Sequence, residues 1–326
     1  MTPTRRILLA AIAALSLGAA KPAVANDRAS LRLNFLLSGV HTIFFLGKAQ
    51  GAYTAEGIDL DIGEGQGSVR TVQTVATGGD TFGLADGGSV IAGATRGAAV
   101  TSVMGILNKS PYGLSFRAEA GVKAIKDVEG KLIAVTAGEA SLPLLPALWK
   151  VNGVDGSKVR TLNVDGAGKI VAVLQSRVDG ILAGLENQVV VLDQKGMKQT
   201  VFSFADLGLN TEGLTIIVSK PTLTGKPDLV ARFVRATRRA IELARRDPDK
   251  AVAAALAEKP QADPVLLKAQ LLASLELLES PDAKGEALGT MAPQDWSRTL
   301  DLMKQYQDVT TDLPATAFYS NQFVEK

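Results

Sequence analysis

The sequence predicts an α/β protein of two lobes, each a mostly parallel sheet flanked by helices, with a ligand cleft between them. Three observations carry this reading. Short apolar runs alternate with helical patterns at strand–helix–strand spacing. About 300 residues remain once a removable leader is set aside, which is long for a single core. Two segments punctuated by Pro and Gly stand where the chain could pass from one lobe to the other.

The leader occupies residues 1–25. Arg5 and Arg6 give a short positive region, and Ile7 to Ala20 runs without a charge. Ala23-Val24-Ala25 then offers the small-x-small pattern of a signal-peptidase site, so Asn26 is expected to begin the mature chain. The apolar run, about 14 residues, falls short of the roughly 20 that cross a bilayer. Export to a periplasm-like space follows, with no membrane anchor after cleavage. Removing Arg5, Arg6 and Lys21 turns the formal charge of +2 into −1, so the basic balance of the full chain is no sign of a nucleic-acid partner. The densest basic stretch, Arg232 to Arg246, has Leu229, Phe233, Ala236, Ala240 and Leu243 opposite its arginines and reads as a solvated helix face. There is no cysteine and one histidine, His41. An exported chain without cysteine has neither a disulfide framework nor the residue a lipoprotein anchor needs, so its fold rests on its core.

Strands are expected at Leu31 to Phe35, Ile58 to Ile62, Phe82 to Ala85 and Val100 to Ile106, then at Leu132 to Val135, Val159 to Val164, Gly180 to Leu182 and Leu214 to Val218. Helical patterns lie between them, at Ser68 to Ala76, Leu142 to Val151 and Ile170 to Gln175. The C-terminal third is helical, with Pro227 to Glu258, Pro264 to Leu278 and Pro293 to Gln305; Asp263 caps the second of these and Pro264 takes its first position. Asn108 to Phe116 and Thr211 to Ser219 are the expected crossings. They divide the chain into lobe I, residues 26–115 and 216–326, and lobe II, residues 116–215. Paired crossings form a hinge on which two lobes can close.

Enzyme signatures are missing. No G-x-S-x-G elbow occurs, a catalytic triad could use only His41, and a thiol nucleophile is impossible. Gly168-Lys169 is no phosphate loop, because Asn163 stands where the first glycine belongs and Ile170 replaces the Ser/Thr. Gly63-Glu-Gly-Gln-Gly67 lacks the third glycine of a dinucleotide fingerprint, Ser68 taking its place. What recurs is a loop type. Ser38 to Thr42, Gly65 to Ser68, Asp86 to Ser89 and Ala137 to Ser141 are small, polar turns that each follow a strand and open a helix. In open parallel sheets such turns converge on one crevice, where backbone N–H groups can hold a polar ligand. Asp86, Glu139, Glu186 and Glu212 lie at strand ends or near the hinge and favour a ligand with amino or hydroxyl donors.

Two runs then match a known pattern. "LNFLLSGVHTIFFLGKAQGAYTAEGIDLDIGEGQGS" and "VATGGDTFGLADGGSVI" resemble the first lobe of the thiamine-pyrimidine, alkanesulfonate and nitrate (NMT1-like) group of ABC-transporter binding proteins. The segments "VEGKLIAVTAGEASLPLLPALWKVNGVD", "VDGILAGLEN" and "FYSNQFV" are similar to the rest of that family. The resemblance implies a type II periplasmic-binding fold with no enzymatic activity and no cofactor, whose partners are a small molecule and the membrane permease. It implies substrate contacts at Ser38, His41, Thr42, Gly67, Ser68, Asp86 and Gly87 on one lobe, and at Glu139, Ala140, Ser141 and Glu186 on the other, with Tyr112 and Glu212 near the crossings. Leu36-Leu37 stand where the pyrimidine branch often has Trp, and Glu139-Ala140 interrupts the small-residue turn of the sulfonate branch. An unpaired acid beside an anion costs affinity. A pyrimidine-like or other amino- or hydroxyl-bearing ligand is therefore expected ahead of a sulfonate or nitrate. A pyrimidine-precursor synthase and a sensor-kinase subunit are the other functions this fold admits. The synthases use a His- and Cys-bearing iron site, against which the missing cysteines speak.

Overall fold

The structure, a computed structural model, describes residues 26–137 and 139–324. The leader read in residues 1–25 lies outside them. Among the described residues ten strands form two five-stranded sheets. The first sheet takes β1 (Asp27–Arg32), β2 (Ile58–Gly63), β3 (Phe82–Asp86) and β4 (Val100–Gly105). The chain then enters the second sheet with β5 (Tyr112–Arg117), β6 (Leu132–Val135), β7 (Arg160–Asn163), β8 (Gly180–Gly184) and β9 (Gln199–Ser203), and returns to the first with β10 (Leu214–Ser219). The orders are β2-β1-β3-β10-β4 and β7-β6-β8-β5-β9.

These are one topology used twice. In each sheet, two parallel pairings hold the first three strands of the lobe, β1 to β2 and β3, or β6 to β7 and β8. In each, the strand inserted between the third and the last runs antiparallel to both neighbours. That inserted strand, β10 or β5, is the one arriving from the other sheet. Four strands therefore point one way in each lobe, and both crossings enter at the carboxyl end of those four.

Four differences from the sequence pattern have physical reasons. The first strand lies earlier than Leu31 to Phe35, because its parallel ladder with β2 starts at Asp27 and the chain turns after Leu33 donates to the Gly63 carbonyl. The expected crossing Asn108 to Phe116 contains a strand: Gly113 punctuates the sequence, but in β5 it lets the chain run where a Cβ would meet the Phe202 carbonyl at 2.8 Å. β9 offers no apolar run, being only partly covered at the sheet edge. The pattern Pro227 to Glu258 is two helices, Pro227–Arg246 and Pro248–Glu258. Pro248 has no N–H for the first helix, and Asp247 caps the second through the Lys250 N–H at 3.0 Å.

Each sheet is covered on both faces. In the first lobe Phe44, Phe82 and Phe233 fill one face, while Val72, Ile91, Trp296 and Phe318 fill the other. In the second lobe Phe116, Leu148 and Leu182 form one layer, and Val173, Ile181 and Leu192 the opposite one. The helix Pro293–Tyr306 serves both lobes, since Trp296, Leu300 and Met303 belong to the first core while Leu302 joins the second. Among the described residues no helix is long and apolar enough to cross a membrane.

Candidate functional site

The carboxyl ends of the strands face each other across a cavity of about 240 Å³. Asp86, Gly88 and Ser89 form its wall at the end of β3; Glu139 and Ala140 form it after β6. Tyr112, Thr211 and Glu212 line it at the crossings, and Thr299, Met303 and Gln307 close it from the helix Pro293–Tyr306 and its end. Two larger hollows, of about 440 and 510 Å³, lie along the Arg235–Arg246 helix face and over Trp149, on the surfaces of single lobes.

Five of the thirteen residues expected at the site are on this wall: Asp86, Tyr112, Glu139, Ala140 and Glu212. Asp86 is committed locally. Its two oxygens accept from the Ser89 N–H at 2.8 Å and the Ser89 hydroxyl at 2.7 Å, which caps the helix Gly87–Thr95. Ser68 stands behind it and accepts from the Asp86 N–H at 3.2 Å. Gly67, at φ +105°, starts the helix that carries Ser68. Gly87 donates to the Gly213 carbonyl, and a Cβ there would lie 2.7 Å from the Glu212 Cβ. Only glycine lets the strand end approach the crossing so closely.

Ser38, His41 and Thr42 are not on the wall. His41 is fully buried, with Nδ1 accepting from the Ser38 N–H at 3.0 Å and Nε2 lying 2.8 Å from Asn34 Oδ1. Burial lowers its pKa to about 4, so the ring is neutral and Nε2 is the donor. Its work in this conformation is to tie the loop after β1; Thr42 does the same by donating to the Gly39 carbonyl at 2.7 Å. Ser141 is buried beside the wall and accepts from the Leu144 N–H through its carbonyl. Glu186 is also off the wall, after β8, and burial lifts its pKa to about 7. Its charge still bears on Tyr112, with those of Asp86 and Glu139. Burial first, and then these three acids, hold the Tyr112 phenol protonated far above its ordinary range.

The residue that changes the electrostatics is Lys169, visible in the sequence only as the lysine of a failed phosphate loop. Its side chain is buried and donates to Glu139 Oε2 at 2.5 Å and to the Leu182 carbonyl at 2.8 Å. Glu139 Oε1 accepts from the Thr136 N–H at 2.9 Å. Glu139 is thus a paired carboxylate, and the lone-acid reading from the sequence gives way to a neutral ion pair. Thr211, Thr299, Met303 and Gln307 were missed as well. Thr299 and Met303 lie at helical spacing beside Trp296, which marks a core and not a strand-end loop. The crossings themselves are stitched together. Asn210 accepts from the Ser110 N–H at 2.8 Å and donates to Asp295 at 2.6 Å, and the Glu212 N–H donates to Thr299 at 2.8 Å. Among the described residues no three His, Asp or Glu side chains gather as a metal site would require.

Two lobes of this topology with a cavity at the crossings define a periplasmic-binding-type fold. The aliphatic sulphonate binding protein SsuA of Escherichia coli has it too, with a TM-score of 0.71 at 14% identity over 90% of this chain and 91% of that one. The NMT1/THI5-like family profile matches residues 38–251, and the chain belongs to that family. It is 26% identical to the riboflavin-binding protein RibY of Chloroflexus aurantiacus over 91% of this chain and 86% of that protein. It is 27% identical to the 4-amino-5-hydroxymethyl-2-methylpyrimidine phosphate synthase of Legionella pneumophila over 72% of this chain and 75% of that protein.

Proposed function

We propose that this chain is the exported, non-enzymatic solute-binding component of an ABC importer, and that it captures an uncharged nitrogen heterocycle between its lobes for delivery to a permease. The observation that carries the ligand class is the charge of the cavity wall. Its acids outnumber its free cations: Glu139 and Lys169 neutralise each other, which leaves the Asp86 and Glu212 carboxyls on the wall against Arg96, exposed at the rim. An anionic ligand would enter this site without a buried counter-charge, at a large desolvation cost. Tyr112 and Thr211 add hydroxyls for a polar, neutral molecule. The volume is below the roughly 300–1,000 Å³ of pockets that hold drug-sized ligands, which suits a one- or two-ring compound in this conformation. The two stitched crossings are the hinge by which we expect residues 26–115 with 216–326 to move against 116–215, and residues 1–25 are the export signal.

A thermal-shift screen of the mature chain against uracil, cytosine, riboflavin, methanesulfonate and nitrate tests this. A ligand that binds only the folded state raises Tm as its concentration passes Kd. A shift from a heterocycle that is weakened in Thr211→Val supports the reading, and a shift from the anions alone overturns the ligand class. The similarity to a synthase supports an enzyme on the same fold as the second reading. Turnover of any of these compounds by the purified chain would replace the first reading with it.

A further inference from the structure

Glu212 is the least explained polar residue of the site. It is 1% exposed, and neither carboxyl oxygen has a hydrogen-bond partner in the protein. No lysine or arginine among the described residues pairs with it. The groups packed directly against it add no positive charge. Asp295 presses on it from the helix Pro293–Tyr306, Tyr319 approaches it from the C-terminal segment, and Asp86, Tyr112 and, at the exposed rim, Arg96 share its cavity wall. Arg298, on the same helix as Asp295, is committed to Asp295 and Asp282. Across the cavity Glu139 has the opposite surroundings, a buried ammonium and a backbone N–H.

We propose that the two carboxyls are a matched pair for ligand selection, Glu212 offering an O–H donor and Glu139 a carboxylate acceptor oriented by Lys169. Two like groups whose environments differ this much take different roles. A carboxylic acid both donates and accepts, whereas a carboxylate only accepts. The ligand that satisfies both presents a carbonyl or ring nitrogen to Glu212 and an N–H to Glu139, as a lactam, imide or aminopyrimidine edge does. A site built on such bonds rejects analogues lacking one of them, because its buried group is then left unpaired. This rests on the heterocycle reading above and adds the residues that would enforce it. Burial raises the carboxyl of Glu212 well above its ordinary value, in the direction the geometry requires.

Two measurements separate this inference from the reading beneath it. The first needs no ligand: Tm of wild type and Glu212→Gln is followed from pH 4.5 upward. A carboxyl that is neutral when folded and ionised when unfolded makes the wild type lose stability with rising pH relative to the Gln variant. A difference independent of pH overturns the assignment of Glu212. The second is calorimetric titration with uracil, cytosine and riboflavin. Glu212→Gln, which keeps a donor and an acceptor, is expected to bind within about threefold of wild type, while Glu212→Ala and Glu139→Gln lose about tenfold or more. Lys169→Met is expected to weaken binding like Glu139→Gln, with part of the loss recovered in Lys169→Arg. Binding by wild type that none of these variants alters overturns the pairing and leaves the heterocycle reading in place. If none of the three probes binds wild type, both fall, whatever the pH series shows.

Discussion

In the first sheet every residue of β3, β4 and β10 is buried; in the second, β7 is exposed at all four positions and β9 is only partly covered. Strand order is the same in both. The difference is cover. Three helices between Pro227 and Leu275 follow β10, and two of them pack on the helix Thr42–Ala49 over the first sheet, whereas the helices between the second sheet's own strands are short. A cleft needs strand ends brought together, which topology supplies in either lobe. Stability needs both faces and edges of the sheet covered; the first lobe has this except along β2, where Asp59 and Asp61 are exposed, and the second has it only in part. The lobes also differ in the titratable groups they bury off the cavity wall, a neutral histidine, His41, in the first and a near-neutral acid, Glu186, in the second.

The largest test of this contrast is Phe233→Ala. Phe233 is fully buried, stacked 3.8 Å from Phe82 and tilted against Tyr53, and its loss is expected to cost about 3–5 kcal/mol. Urea unfolding followed by circular dichroism measures it. A loss below about 1 kcal/mol would mean that the helical cover does not set the stability of the first lobe.

Asn210→Ala comes next. It leaves the Ser110 N–H without its buried acceptor and removes one of the two donors to Asp295 Oδ1, which keeps Arg298, at about 2 kcal/mol. The same variant loosens a crossing, so faster hydrogen exchange at Ser110 and Thr211 is expected together with the lower stability. Unchanged exchange there would show that the crossings are held by the strands alone.

Acid sensitivity is a third point of contrast. His41 has a folded pKa near 4 against an ordinary 6.5, so the unfolded chain takes up the proton first. Its contribution is complete above pH 6.5 and is lost as pH falls toward 4, with a slope of at most about 1.4 kcal/mol per pH unit. Glu186 works the other way, losing its contribution as pH rises from its ordinary 4.5 through about 7. Tm curves of His41→Gln and Glu186→Gln against wild type should therefore diverge in opposite directions over this window. Parallel curves would show that the two lobes do not bury these groups in opposite senses. The smallest effect belongs to the exposed edge: Val201→Thr on β9 should stay within about 0.5 kcal/mol of wild type in the same urea assay.

Five residues of the cavity wall were legible in the sequence. Asp86, Glu139 and Ala140 lie in loops whose small polar residues announce a strand end, and Tyr112 and Glu212 lie where Pro and Gly mark the crossings. His41 lies in such a loop too, yet it points inward, because a loop pattern records where the chain turns and not which way a side chain faces. Thr299 and Met303 come from a helix whose periodicity describes only its core side.

The sequence by itself determined the alternation of strands and helices, the two crossings, the family and the carboxylates near the strand ends. These are local or nearest-neighbour properties, written in apolar period and turn chemistry. Tertiary structure alone decided that Lys169 neutralises Glu139, 30 residues away, and that Glu212 has no such partner. The charge state of a carboxyl depends on what folding brings within a few ångströms of it and on how much water folding removes. Neither is a property of the residue's place in the chain.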